Sequence, residues 1–133
     1  MSRRHTVQKQ MIGETLARLD HPTATEIYEE IRRAYPQISL GTVYRNLSQM
    51  ADDGEILRIS FSGEPDRFDP NSYEHYHIAC SCCGKICDTD QATMASLIEQ
   101  IDRAVEDCTG IKVEKRIMIF SGICAECQSA AQL

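Results

Sequence analysis

Between residues 8 and 61 the apolar side chains recur at three- and four-residue steps in three stretches, and then the pattern changes to alternation. Met11, Ile12, Leu16 and Leu19, with Thr15, predict a helix over Gln8 to Leu19 that His21-Pro22 ends. Thr23-Ala-Thr-Glu26 has the pattern of a capping box, with Thr23 as N-cap and Glu26 at the third helical position. It opens a second helix through Ala34, with Ile27, Ile31 and Ala34 inward. Ser39 caps a third helix to about Ala51, whose inward positions are Leu40, Val43, Leu47 and Met50. Asp53-Gly54 is a turn signal, and Ile56-Leu-Arg-Ile-Ser-Phe61 alternates as a strand does. A turn at Gly63-Glu-Pro65 and a return strand at Arg67-Phe-Asp69 complete a hairpin. Three helices and then a hairpin is the order of a winged helix-turn-helix.

The rest of the chain reads as a strand over about His75–Ala79, a cysteine turn, a strand over Lys85–Asp88, a helix, a strand over Ile111–Phe120 and a second cysteine turn. The helix carries Met94, Leu97, Ile98, Ile101, Val105 and Cys108 at three- and four-residue steps, an amphipathic stripe. One helix over three short strands makes too small a core for about 65 residues, so this half needs staples or a dimer partner. The fold class is α+β: a winged helix-turn-helix over residues 1–62, a hinge at 63–66, and a small α/β metal-binding and dimerisation domain over 67–133.

Charge sharpens the division. The 133 residues carry 14 basic and 20 acidic side chains, a net −6. Residues 1–62 hold eight of each and no cysteine; residues 63–133 hold six basic and twelve acidic side chains and all seven cysteines. No apolar run approaches a membrane span, and Met1-Ser-Arg-Arg-His5 lacks the apolar stretch of a secretory signal. A cytoplasmic chain with reduced thiols follows, and cysteines there point to metal or redox chemistry before disulfides.

Cys80-Ser-Cys-Cys83-Gly84-Lys85 and Cys124-Ala-Glu-Cys127 are CxxC pairs. Each such turn delivers two thiolates to one ion, so Cys80, Cys83, Cys124 and Cys127 form a closed four-thiolate zinc site, which is structural. Cys82 is an alternative to Cys80 only with a poorer spacing. Cys87, on a strand, and Cys108, on the helix stripe, are read as packed thiols. A thiol redox switch built on Cys82, Cys87 or Cys108 is a rival reading.

His75-Tyr-His77 puts two imidazoles on one face of a strand. With His21, they lie in segments that Asp69 and Asp88 can join. A nitrogen and oxygen donor set without thiolate suits Fe(II), Mn(II) or Zn(II) rather than Cu(I).

His21-Pro-Thr-Ala, Leu40-Gly-Thr-Val-Tyr-Arg-Asn-Leu47, Arg67-Phe-Asp69, His75-Tyr-His77, Cys80-x-x-Cys83-Gly-Lys and Cys124-x-x-Cys127 stand in the order and spacing of the ferric uptake regulator superfamily. The resemblance runs from about Arg4 to Cys127 and is greatest to the peroxide-sensing repressor branch. It implies a three-histidine, two-aspartate regulatory site bridging the domains, with His21, Asp69, His75, His77 and Asp88 as ligands and Fe2+ or Mn2+ as the ion. It also implies peroxide sensing through oxidation of a ligand histidine, a property the family associates with Asp at position 88. The alternative is a repressor that reports iron, manganese or zinc levels without peroxide chemistry. A further metal site of other members is expected to be absent, because Glu74, Tyr76 and Glu114-Lys-Arg116 replace its histidines.

In a winged helix the third helix enters the major groove. Arg45 can contact guanine, Tyr44 thymine methyls or phosphate, and Ser39 and Thr42 phosphate; Arg3, Arg4 and Lys9 are phosphate partners, and Arg58 one in the wing. Half-site readers of this size work in pairs, so the expected partners are a second copy of the chain and a pseudo-palindromic duplex operator. An enzyme is disfavoured: there is no HExxH, nucleophile elbow or phosphate loop.

Overall fold

A computed structural model describes residues 3–61 and 63–131, with side chains from residue 7 onward. The expectations for Arg3 and Arg4 as phosphate partners fall on side chains that are not described, and the boundary at Ser62 lies outside the described residues. Five helices and five strands follow in the order α1 (Arg3–Arg18), α2 (Ala24–Arg32), α3 (Leu40–Asp52), β1 (Leu57–Ile59), β2 (Arg67–Asp69), β3 (His77–Cys80), β4 (Ile86–Asp88), α4 (Gln91–Thr109), β5 (Ile119–Gly122) and α5 (Ala125–Ala131). The chain forms two compact units, Met1–Tyr73 and Glu74–Leu133. The seam falls after Tyr73 rather than at 63–66, because β2 pairs antiparallel with β1 and stays with the first unit.

The first unit has the elements the periodicity predicts, with α1 starting at Arg3 rather than Gln8 and the Ile56–Phe61 strand contracted to Leu57–Ile59. Thr23 caps α2: its Oγ1 accepts from the Glu26 N–H, and its own N–H donates to Glu26 Oε1, both at 3.2 Å. Ser39 caps α3, accepting from the Thr42 N–H at 3.1 Å. Ile12 and Leu16 of α1, Ile27 and Ile31 of α2, Val43, Leu47 and Met50 of α3, and Ile38, Ile56 and Phe68 form one buried cluster. Leu40 and Ala34, expected inward, are exposed. Leu40 opens α3 one turn before the buried row begins at Val43, and Ala34 lies past the end of α2. Phe68 is the wing's contribution to the cluster and is fully buried.

In the second unit β3 and β4 form an antiparallel hairpin around the first cysteine turn, and β5 lies parallel to β3 on its other side, giving the order β4-β3-β5. A parallel neighbour needs a crossover, and α4 supplies it. Gly110 ends α4 with a φ of 74°, a left-handed C-cap. The strand expected over Ile111–Phe120 contracts to β5, since β3 offers a partner only to Ile119–Gly122; Ile111 and Ile117 are 69% and 80% exposed. The α4 stripe is wider than the sheet beneath it. Ile98 alone is buried, while Leu97, Ile101 and Val105 stand exposed at four-residue steps. Cys87 and Cys108 are likewise exposed rather than packed, one on an outer strand and the other in the last turn of α4. Helix α5 had no period long enough to announce it.

Phe68→Ala should destabilise the first unit by about 3–5 kcal/mol, because it removes a fully buried ring that joins the wing to the helices. Urea denaturation of the two proteins measures this, and a loss under about 1 kcal/mol would show that the wing packs loosely.

Candidate metal centres and nucleic-acid interface

The four cysteines of the two CxxC motifs converge, with their Sγ atoms all within 4.8 Å of one another. Cys80 and Cys83 come from the β3–β4 turn, where Gly84 takes a φ of 79° and donates its N–H to the Cys80 carbonyl at 2.9 Å. Cys124 and Cys127 stand at the entry to α5. Register brings the two turns together: Cys80 lies beside Gly122, and the Ser81 N–H donates to the Gly122 carbonyl at 2.8 Å. Cys82 is exposed and outside the cluster.

The spacing suits a tetrahedral ion. Sulfurs about 2.3 Å from a zinc ion lie about 3.8 Å apart along each tetrahedral edge, and Cys80–Cys127 and Cys83–Cys124 are each separated by 3.8 Å. The electrostatics suit one too. The Cys124 N–H, at 3.3 Å, and the Cys83 amide hold the Cys80 thiol down at about 6. The Cys127 thiol is pushed well above its ordinary range by the Cys124 and Cys80 sulfurs beside it. At Cys83 the Lys85 amide favours the thiolate, yet the neighbouring sulfurs outweigh it and raise the group. Four crowded sulfurs resist ionising together, and a divalent cation removes that conflict.

The nitrogen and oxygen donors fall in both units. In the first, His21 takes a φ of 46°, unusual for any residue but glycine. Strand β2 holds it there. Arg67 Nη1 donates to the His21 carbonyl, and the Phe68 N–H to the Pro22 carbonyl, each at 2.9 Å. His21 Nε2 then lies 3.3 Å from Asp69 Oδ2, with both side chains less than a tenth exposed. Nδ1 of the same ring meets Asp20 Oδ1 at 2.6 Å, which orients the ring with Nε2 toward Asp69. Asp20 was not expected from sequence, where it is merely the last acid before His21-Pro22.

In the second unit Asp88 stands directly across from His77 in the β3–β4 register. Its Oδ1 lies 3.1 Å from His77 Nε2 and 3.5 Å from His75 Nε2, and the two rings are 4.4 Å apart. His75 precedes β3 rather than sharing it, yet both imidazoles reach one carboxylate oxygen. Nitrogen and oxygen ligands at about 2.1 Å from an ion are separated by about 3.0–3.4 Å, so the donor separations in each unit fit shared ligation.

On α3, Tyr44 and Arg45 are exposed beside a cleft bounded by Thr25, Gly41, Glu64 and Pro65. Arg45 Nη2 rests 3.3 Å from Thr42 Oγ1. Two expected phosphate partners carry carboxylate neighbours: Lys9 pairs with Glu55 at 2.6 Å, and Arg58 lies 4.0 Å from Asp52 and 3.7 Å from Asp66. No helix among the described residues is long and apolar enough to cross a membrane.

Replacing Cys124 by Ser removes one corner of the sulfur cluster and keeps the backbone N–H that reaches Cys80. Expected is loss of stoichiometric zinc, read by elemental analysis, with loss of the second unit's cooperative melting. Full zinc retention would show that the cluster does not hold the ion.

Comparison with known proteins gives a single family. Residues 1–120 match the profile of the Ferric uptake regulator family. The peroxide-responsive repressor PerR of Staphylococcus aureus strain USA300 is 37% identical over 108 residues, 81% of this chain and 70% of that protein. The structure is similar to that of a Campylobacter jejuni peroxide stress regulator, with TM-score 0.76 and 31% identity, covering 93% of this chain and 91% of that one. It is also similar to the Helicobacter pylori ferric uptake regulator Fur, whose structure reveals three functional metal binding sites in that protein; there the TM-score is 0.77 at 26% identity, covering 91% and 79%. The chain thus belongs to the Ferric uptake regulator family, whose members are transcriptional regulators and not enzymes.

Proposed function

We propose that this chain is a cytoplasmic, metal-dependent repressor that binds duplex DNA as a homodimer and senses peroxide at a five-ligand site. The observation that carries the reading is Asp88, whose single oxygen takes up both His75 and His77. His21 and Asp69 are a like pair in the first unit, and one Fe2+ or Mn2+ ligated by all five would couple the two units. A Zn2+ in the sulfur cluster, one per subunit, is structural.

The DNA reader is α3. Arg45 is placed on its exposed face for a bidentate contact to guanine and Tyr44 for a thymine methyl, with Ser39 and Thr42 at the helix N-terminus facing phosphate. Lys9 and Arg58 exchange a carboxylate for a phosphate when they bind, which makes their contribution weaker than that of a bare cation. Two copies on a pseudo-palindrome need their recognition helices at a fixed separation. Ligation across the units orders that separation, so DNA affinity follows the state of the site. The paired copies meet through the second unit, where Leu97, Ile101 and Val105 of α4 and Ile117 and Phe120 near β5 leave apolar surface uncovered.

A ferrous ion held by these five residues would supply one-electron catalysis; over the whole reaction the ligand imidazole would lose the two electrons that peroxide takes up, one peroxide oxygen entering a ring C–H bond and the other leaving as water. His21, His75 and His77 are the candidate acceptors of that oxygen. An oxidised ring is a poorer ligand, the units uncouple and DNA is released. The likeness of the chain to relatives described as a peroxide-responsive repressor and a peroxide stress regulator supports this reading.

DNA binding by the zinc-loaded protein should require added Fe(II) or Mn(II), and peroxide should abolish it only with iron. The iron form should then gain the mass of one oxygen on a peptide holding His21, His75 or His77. An unmodified protein that stays bound to DNA points to a reporter of metal level alone. Asp88→Glu should keep metal-dependent binding and lose most of the peroxide response. Arg45→Ala should weaken operator binding by about 5- to 150-fold while leaving non-specific binding nearly intact. Ile101→Glu should convert the dimer to a monomer in sedimentation; a dimer that survives it is built on another surface.

A further inference from the structure

Outside the proposed ligands, a polar cluster of the second unit surrounds Arg116, in the segment between α4 and β5. Its Nε lies 2.5 Å from Asp102 Oδ1, and its Nη2 contacts Asp102 Oδ2, a two-pronged grip on α4. Nη1 reaches Glu74 Oε2 at 2.7 Å. Tyr76, the residue after His75, is buried, and its side chain helps Asp102 and Glu74 keep the guanidinium protonated. The Arg116 and Asp102 side chains are 23% and 18% exposed, so solvent screens this pair less than it does the surface pairs of α4.

Glu74 and Tyr76 are the residues on either side of His75. The Tyr76 carbonyl is itself held from the other direction, accepting from the Thr89 N–H at 2.8 Å and from Thr89 Oγ1 at 3.2 Å. Thr89 follows Asp88 directly. The segment that carries both imidazoles is therefore pinned between Arg116 on one side and the end of β4 on the other, with His75 two residues before the start of β3.

We infer that Arg116 is a positioning residue for the His75–His77 pair: by joining Asp102 of α4 to Glu74, it fixes the chain just before His75, while Thr89 holds the Tyr76 carbonyl just after it. The inference rests on the proposed ligand set and extends it to a residue outside that set. Arginine suits the task because one rigid fork spans two carboxylates, where an ammonium is a point charge. Orienting partners of ligand side chains typically change metal affinity by about 10- to 100-fold when removed.

The test uses the full-length, zinc-loaded protein with Arg116→Gln, Arg116→Lys, Asp102→Asn and Asp88→Ala, titrated with Mn(II) and followed by the electron paramagnetic resonance of the free ion. Two-dimensional nitrogen NMR of the imidazoles, recorded before manganese is added, supplies a readout independent of binding. Expected are one tight Mn(II) in the parent, none in Asp88→Ala, and about 10- to 100-fold weaker binding in Arg116→Gln and Asp102→Asn, with Arg116→Lys recovering only part. His75 and His77 resonances should move in the Arg116 and Asp102 variants while zinc content and melting stay as in the parent. Parental manganese affinity and unmoved imidazole resonances in Arg116→Gln and Asp102→Asn would overturn the positioning role. So would loss of zinc and of cooperative melting in both, which would mark a merely structural ion pair. Parental binding in Asp88→Ala would instead overturn the ligand set and, with it, this extension.

Discussion

Convergence of four sulfurs is the constraint on which the second unit depends. Its own apolar core is slight, with Ile86 and Ile98 the main buried aliphatic side chains. What fixes the β3–β4 hairpin against β5 and α5 is the meeting of the two cysteine turns, with Cys80 beside Gly122. Once that end is set, register does the rest. Counting back along the hairpin from Cys80 puts His77 opposite Asp88. A slip of one residue would send the carboxylate to the other face of the sheet. The structural centre is thus also the gauge that aligns the donors of the regulatory one.

The two centres differ in donor chemistry, and this keeps their ions apart. Thiolates at 3.8 Å edges favour a soft, tetrahedral partner, whereas imidazoles and carboxylates at 3.1–3.5 Å accept harder divalent ions with more than four ligands. The acidic surplus of the second half also acquires an explanation. Asp88, Glu74 and Asp102 each sit against a cationic or metal-binding partner, so part of the net −6 is internal wiring rather than bare surface.

Most of the first unit was legible in the sequence, because its helices are long enough for period and caps to agree: Thr23 with Glu26 and Ser39 with Thr42 place α2 and α3 to within a residue or two. The hairpin return at Arg67–Asp69 was legible to the residue. The donors were legible as residue types and spacings. What stayed hidden depends on contacts across the fold. Asp20 and Arg116 show no motif, since an acid beside a histidine and an arginine before an apolar run occur anywhere. The α4 stripe was read correctly as apolar but not as uncovered, because periodicity reports which face is greasy and not how much sheet lies beneath it. Cys87 and Cys108 failed for the same reason. The seam moved to Tyr73 because strand pairing, not charge, decides which residues travel together.

The backbone at His21 sets two demands against each other. A φ of 46° suits glycine, which has no side chain to clash, and yet the position needs a ring nitrogen aimed at Asp69. Histidine there costs about 1–2 kcal/mol of local strain, which the grip of Arg67 and the chain reversal into Pro22 keep in place. The strain sits in the backbone, so the aim of the ring at Asp69 lasts only as long as the contacts of β2 that hold that conformation.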